Sequence, residues 1–313
     1  GGAYGLDVAK SVVADPIEGD TVALGMQVNS IGENADLQVI IDITSDSFSD
    51  IQGSLELGTV SAGTFSSITS LITELQNLAD PVTLTHSSQD ITVEGVSTKR
   101  FTLDISLGTV TDPTEALNKI NSLVINPGDG NFKSNLDVSI NVRALDSNDI
   151  ELASLSAPIN FSHDYQPEAD GVSFSIPAED LDFTSGIEDQ ALSLQKLFDG
   201  NVTKFDADEI VYFRLYDLTS LGLSVVDASG AGLGRVIDSA GTIELSQSDA
   251  LNAFVSLKGD ADLPTSSFYV KAFSREPTGE ISDLVPATTG EFSASVKITA
   301  DADAPILSMD AKV

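Results

Sequence analysis

The chain carries one ordered set of landmarks twice. "IEGDTVAL" from Ile17 to Leu24 returns as "IEDQALSL" from Ile187 to Leu194, with Ile, Glu and the final Leu coincident. "ADLQVIIDITS" (Ala35 to Ser45) parallels "DEIVYFRLYDLTS" (Asp208 to Ser220), each a short apolar run ending in Thr-Ser. "EALNKINSL" (Glu115 to Leu123) matches "DALNAFVSL" (Asp249 to Leu257) at five of nine positions, with Glu/Asp a sixth, conservative match. A Gly-Asp turn follows each, in "PGDGNF" and "KGDADL", and the copies close on "INFSHD" (Ile159 to Asp164) and "VKITAD" (Val296 to Asp301). Internal self-similarity fixes architecture before any local propensity does. It predicts one module built twice, over residues 1–166 and 167–305, with 306–313 opening a following repeat or tail. The first copy is longer, and its excess lies mostly in a helical insert at about 61–88.

The module is predicted to be a β-sandwich. "NLDVSINVRALD" (Asn135 to Asp146) alternates at Leu136, Val138, Ile140 and Val142. "ITVEGVSTKRFTLDISLG" (Ile91 to Gly108) alternates at Phe101, Leu103, Ile105 and Leu107. Period-two patterning buries one strand face and wets the other. Many such runs between Gly, Asp, Asn and Pro turns give an all-β chain. Two short helices interrupt. "DPTEALNKINSLV" offers Asp112 as N-cap, Pro113 at N1 and Glu115 at N3, with Leu117, Ile120 and Val124 inward. "FSSITSLITELQNL" puts Phe65, Ile68, Leu71, Ile72, Leu75 and Leu78 on one stripe, which reads as core packing.

Composition removes several functions. Asp and Glu number 48 against 15 Lys and Arg, a formal charge of −33. Phosphate repulsion excludes nucleic acid, and an anionic membrane is repelled as well. Hydrophobic residues make up 41%, enough to build cores rather than a disordered acidic tail. Without Cys there is no disulfide or thiolate site. The apolar stretch near Val39 to Ile43, itself broken by Asp42, is far below the roughly 20 residues of a membrane span. An enzyme reading is poor: there is no Trp for a sugar cleft, and His86 and His163 are single residues read as lying in polar loops. "SGAGLGR" (Ser229 to Arg235) lacks a P-loop Lys-Ser and reads as a turn.

The acids gather at segment ends: Asp15, Glu18 and Asp20; Asp36; Asp129; Asp164, Glu168 and Asp170; Glu188 and Asp189; Asp206 and Asp208; Asp260 and Asp262; Asp301 and Asp303. Several have Asp-x-Asp spacing, which turns two carboxylates and a carbonyl toward one point. Two unit charges 5 Å apart repel by about 1 kcal/mol even in water. Calcium offsets that repulsion, taking about 6–8 oxygens in flexible geometry, whereas zinc wants His or Cys. Solvated turns and general acidity for solubility in high salt are the competing readings. Concentration in the loops favours ions, and all sixteen acids are candidate Ca²⁺ ligands.

With these motifs in place, the chain resembles the immunoglobulin-like and cadherin-like repeats of large bacterial RTX adhesins. "GIEDQALSL" and "VKITADADAPIL" are close to the opening and closing patterns of such repeats, while "PIEGDTVAL" and "NFSHDYQPEADGV" depart from them. The resemblance implies two tandem Ig-like or cadherin-like β-sandwiches, with calcium held by acids at the joints. Carried over by position, Asp301 and Asp303 hold ions at the C-terminal joint, and Glu18, Asp164, Asp170, Asp206 and Asp208 form one group. It further implies a non-enzymatic role: a calcium-stabilised segment of a secreted adhesin at the bacterial cell surface, either an extender or a ligand-binding module, in cell-surface or biofilm attachment. Expected partners are neighbouring repeats of a longer chain and a cell-surface glycan or a peptide or protein ligand, with the chain itself monomeric. "ILSMDAKV" then starts a third unit. A surface-coat protein and the accessory domains of a carbohydrate-active enzyme remain the alternatives.

Overall fold

A computed structural model describes residues 5–259, 261–287 and 291–301. Contacts divide the chain into two compact units, Gly1–Pro167 and Glu168–Val313. The segment expected to open a third unit lies outside the described residues, as do Asp260 and Asp303.

Unit 1 runs β1 (Asp7–Lys10), β2 (Val22–Ala23), β3 (Met26–Ser30), β4 (Asp36–Thr44), α1 (Phe48–Ile51), β5 (Glu56–Ser61) and β6 (Thr64–Ser67). It continues through α2 (Ile68–Gln76), β7 (Thr83–Val93), β8 (Val96–Ser106), α3 (Thr114–Ile120), β9 (Val124–Asn126), β10 (Asn135–Leu145), β11 (Glu151–Ser154) and β12 (Ile159–Asp164). One sheet is ordered β11-β10-β4-β8-β7, with β12 also on β10; a second is β2-β9-β5-β6. Their inner faces share one core. Leu37, Val39, Ile41 and Ile43 of β4 meet Leu136, Val138 and Ile140 of β10 and Leu57 and Ile125 of the second sheet. Each side chain so buried contributes about 1.5–3 kcal/mol.

Unit 2 runs β13 (Val172–Phe174), β14 (Asp182–Ile187), β15 (Leu192–Ser193), α4 (Gln195–Phe198), β16 (Val202–Lys204), β17 (Ile210–Tyr216) and β18 (Leu223–Val226). Then come β19 (Arg235–Val236), β20 (Ile243–Ser246), α5 (Gln247–Ala250), β21 (Phe254–Leu257), β22 (Leu263–Arg275) and β23 (Ser293–Thr299). The large sheet is β14-β23-β22-β17-β20-β19 and the small one β15-β21-β18, with a β13-β16 pair beside them. Both units are therefore β-sandwiches with short helices between strands.

The repeat is visible in strand pairing. Val22 pairs Ile125 in unit 1, as Leu192 pairs Val255 in unit 2. The Leu24 N–H donates to Leu123 O at 2.9 Å, and the Leu194 N–H donates to Ala253 O at 2.8 Å. In that register Leu123 corresponds to Ala253, not to Leu257. The five-in-nine sequence match is thus displaced by four residues, about one helical turn. The helix shortens from seven residues in α3 to four in α5, and the ungapped match aligned its start rather than its end.

Other expectations need correcting. The alternation over Ile91 to Gly108 is two strands, because Glu94 (φ 51°) and Gly95 (φ 84°) reverse the chain between β7 and β8. Two consecutive left-handed residues make the hairpin turn that matches strand twist. The insert at 61–88 is only partly helical: Phe65 lies in β6, and α2 starts at Ile68 and buries Ile68, Leu71 and Leu75. α3 begins at Thr114 behind Pro113, and Asp112 caps it by accepting the Thr114 N–H at 3.0 Å. Val124 belongs to β9. His86 and His163 sit in strands β7 and β12, and His163 is buried.

Candidate functional site

Antiparallel pairing of Ile210 with Arg275 brings the start of β17 beside the end of β22. Three loops meet there in unit 2: Glu168 to Gly171, Phe205 to Glu209, and Glu276 to Ile281. The Gly171 N–H donates to Ser274 Oγ at 2.9 Å, and the Phe205 N–H donates to Gly171 O at 3.3 Å. The Asp208 N–H donates to Asp206 Oδ1 at 2.9 Å, the tight turn that Asp-x-Asp spacing favours. The Asp170 N–H donates to Glu209 Oε1.

The loops bury acids. Asp206 is 2%, Glu209 1% and Glu276 2% exposed. A carboxylate oxygen of Asp206 lies within 4.8 Å of one of Glu276. At an effective dielectric constant of about 20, two charges at that separation repel by roughly 3 kcal/mol. Glu209 Oε2 is buried and has no hydrogen-bond partner among the described residues. The nearby Lys204 ammonium donates to the main-chain carbonyls of Ala207 and of Glu209, the latter at 2.8 Å. Burying a carboxylate is costly unless a cation or donors meet it, so this arrangement favours a hard, oxygen-liganded cation over an apolar or anionic guest. Asp206 was marked by its spacing in the sequence. Glu209 and Glu276 were not among the candidates, although Glu209 directly follows the Asp-x-Asp of Asp206 and Asp208 and abuts a strand.

A second cluster sits where β23 ends. β14 runs parallel to β23, pairing Ile187 with Thr299, and the Glu188 N–H donates to Thr299 O at 3.0 Å. Glu188 is 7% exposed; its Oε1 accepts the Asp301 N–H at 2.8 Å. Asp262 Oδ1 accepts the Ala300 N–H. Asp189 is exposed beside them, in a left-handed conformation with φ 57°.

Unit 1 holds the counterpart. Ile17 bridges Gln166 in parallel, the Glu18 N–H donates to Gln166 O at 2.8 Å, and Glu18 is buried. Its Oε1 faces Lys133 Nζ at 3.8 Å. Asp15 Oδ1 accepts the Asp164 N–H at 3.3 Å, and Asp20 O accepts the Tyr165 hydroxyl at 2.9 Å. Asp129 closes its own turn, accepting the Asn131 N–H at 3.0 Å. Asp36 stands apart at the start of β4. Its Oδ1 accepts the N–H groups of Leu107 and Gly108, both at 2.8 Å, which ties down the end of β8. Glu168 and Asp208 are exposed on the loops of the unit 2 cluster.

No helix among the described residues is long and apolar enough to cross a membrane. Compared with known proteins, the chain matches no family model and no curated protein.

Proposed function

We propose that the chain is a calcium-stabilised, non-enzymatic segment of a secreted bacterial adhesin, serving as an extender or as a ligand-binding module at the cell surface. The observation that carries the reading is the pair Asp206 and Glu276, both buried with carboxylate oxygens within 4.8 Å of one another, on loops that also bury Glu209, whose Oε2 has no hydrogen-bond partner among the described residues. Flexible, all-oxygen coordination suits Ca²⁺ better than Mg²⁺, which holds its waters in a strict octahedron. Extracellular modules hold calcium with Kd of about 10⁻⁴ to 10⁻³ M, and at 100 times Kd one site adds about 2.7 kcal/mol to folding. The β-sandwich repeat supports a mechanical role, since each copy builds its own core.

The test is calorimetric titration of the metal-free chain with Ca²⁺ and, separately, Mg²⁺. The reading expects saturable heat with Ca²⁺ that weakens in Glu276→Gln. Equal, weak responses to both ions in both proteins contradict it.

A further inference from the structure

The outer face of the large sheet in unit 2 reverses the charge of the chain. Val211, Phe213 and Leu215 of β17 point into the core, so Tyr212, Arg214 and Tyr216 occupy the opposite face. Register places Tyr212 across from Phe273, Arg214 from Lys271 and Tyr216 from Tyr269 on β22. On the other side Arg214 faces Glu244 of β20, which in turn faces Arg235 of β19. Across β22, β17, β20 and β19 this face sets Arg214, Arg235, Lys271 and Arg275 around Glu244, in a chain of net charge −33. Asp217 and Asp238 stand near the tyrosines at one end.

The rings are organised by the cations. Arg214 lies 4.7 Å over Phe273 and Arg275 lies 4.2 Å over Tyr212. Tyr216 and Tyr269 stack at 4.5 Å and 5°. Glu244 accepts from Arg214 Nε at 3.3 Å, Arg235 Nη2 at 3.0 Å and Arg275 Nη2 at 2.9 Å. Two carboxylate oxygens cannot saturate three guanidinium forks of five donors each. Arg235 remains 70% exposed. Burial holds the Tyr216 and Tyr269 phenols above their usual range, so both stay protonated donors.

We propose that this face binds a carboxylate-bearing polysaccharide. Guanidinium forks take single carboxylates bidentately, and ring faces with phenol hydroxyls suit the alternating C–H and O–H surface of a sugar. Sparse charge is required. The long-range field of the chain repels a densely charged polymer such as nucleic acid, with one charge per about 1.7 Å, whereas a polyuronate carries a single carboxylate per sugar ring, set apart by the C–H and O–H surface of the ring itself. An acidic protein surface meets the same long-range repulsion without the sugar-like C–H faces. The inference needs no calcium and stands apart from the metal reading.

The test is titration of the full chain, held in EGTA, with oligogalacturonate, dextran and a polyglutamate peptide as separate arms. Oligogalacturonate is expected to bind and dextran not to bind, with polyglutamate weaker by at least about tenfold. Arg235→Ala removes an exposed side chain and is expected to weaken oligogalacturonate about tenfold, while Lys119→Ala in unit 1 leaves it unchanged. No oligogalacturonate binding, binding unaltered by Arg235→Ala, or polyglutamate binding equally well overturns the proposal. The last result would assign the face to acidic proteins. Because EGTA is present throughout, failure here leaves the calcium reading to its own experiment.

Discussion

Glu188 holds the Asp301 N–H on its Oε1 at 2.8 Å while its Oε2 is buried without a hydrogen-bond partner among the described residues. The two oxygens separate a structural role from an electrostatic one. Glu188→Gln keeps an acceptor for Asp301 and is expected to unfold in EGTA at a denaturant midpoint no lower than the parent chain. Glu188→Ala removes the acceptor and should cost about 1–3 kcal/mol. Urea denaturation of both variants checks this, and equal losses would refute the separation.

At the close pair of Asp206 and Glu276 the sign of a mutation depends on calcium. Neutralising Glu276 removes a buried charge, so Glu276→Gln is expected to raise the thermal midpoint in EGTA. On the proposed reading it also removes a ligand, so the gain on adding calcium should shrink. A variant that behaves like the parent in both conditions would show that Glu276 takes no part in cation binding.

Glu244 sets part of the acid limit of unit 2. Burial opposes its ionisation, but the hydrogen bonds and charges of Arg275, Arg235 and Arg214 outweigh burial and hold its carboxyl below the usual range. A carboxyl depressed in the folded state stabilises above its unfolded value, about 4.3, and that contribution is lost as pH falls through the folded value. Glu244→Gln should therefore flatten the stability profile below about pH 4.3. Parallel profiles for parent and variant would contradict the assignment.

His163 acts with the opposite charge. It is stacked on Phe161 at 5.6 Å and 14° and is 2% exposed. Burial pushes its ring below the ordinary imidazole range; Asp15, Asp137 and Asp164 pull the other way, while Lys10 adds to the depression. The unfolded chain then binds the proton more readily, so stability rises with pH and is lost as pH falls through the unfolded value, about 6.5. His163→Phe should remove that slope between about pH 5 and 7, measured as urea midpoints. An unchanged slope would place the titration elsewhere.

The sandwich was legible because burial on one face forces period two: Leu136, Val138, Ile140 and Val142 all point inward as their spacing requires. Boundaries were less legible where alternation runs through a turn. Glu94 takes the left-handed position usually given to Asn or Gly, so only Gly95 marked the turn in "VEGV". The repeat was readable, but its register was not, because identity between α3 and α5 rewarded the helix start. Asp206 announced itself by spacing. Glu276 reaches the same place only through the pairing of β22 with β17, a contact between segments far apart in sequence. The basic face stayed hidden for the same reason: Arg214, Arg235, Lys271 and Arg275 come together only across four strands.

The most direct test of the central claim is thermal unfolding of the same preparation in about 5 mM calcium and then in excess EGTA. With Kd of about 10⁻⁴ to 10⁻³ M, about 5 mM calcium adds about 1–2.3 kcal/mol for one site and predicts a midpoint about 2–9 °C higher. A shift below about 2 °C would mean that the buried acids of this chain are held without the ion.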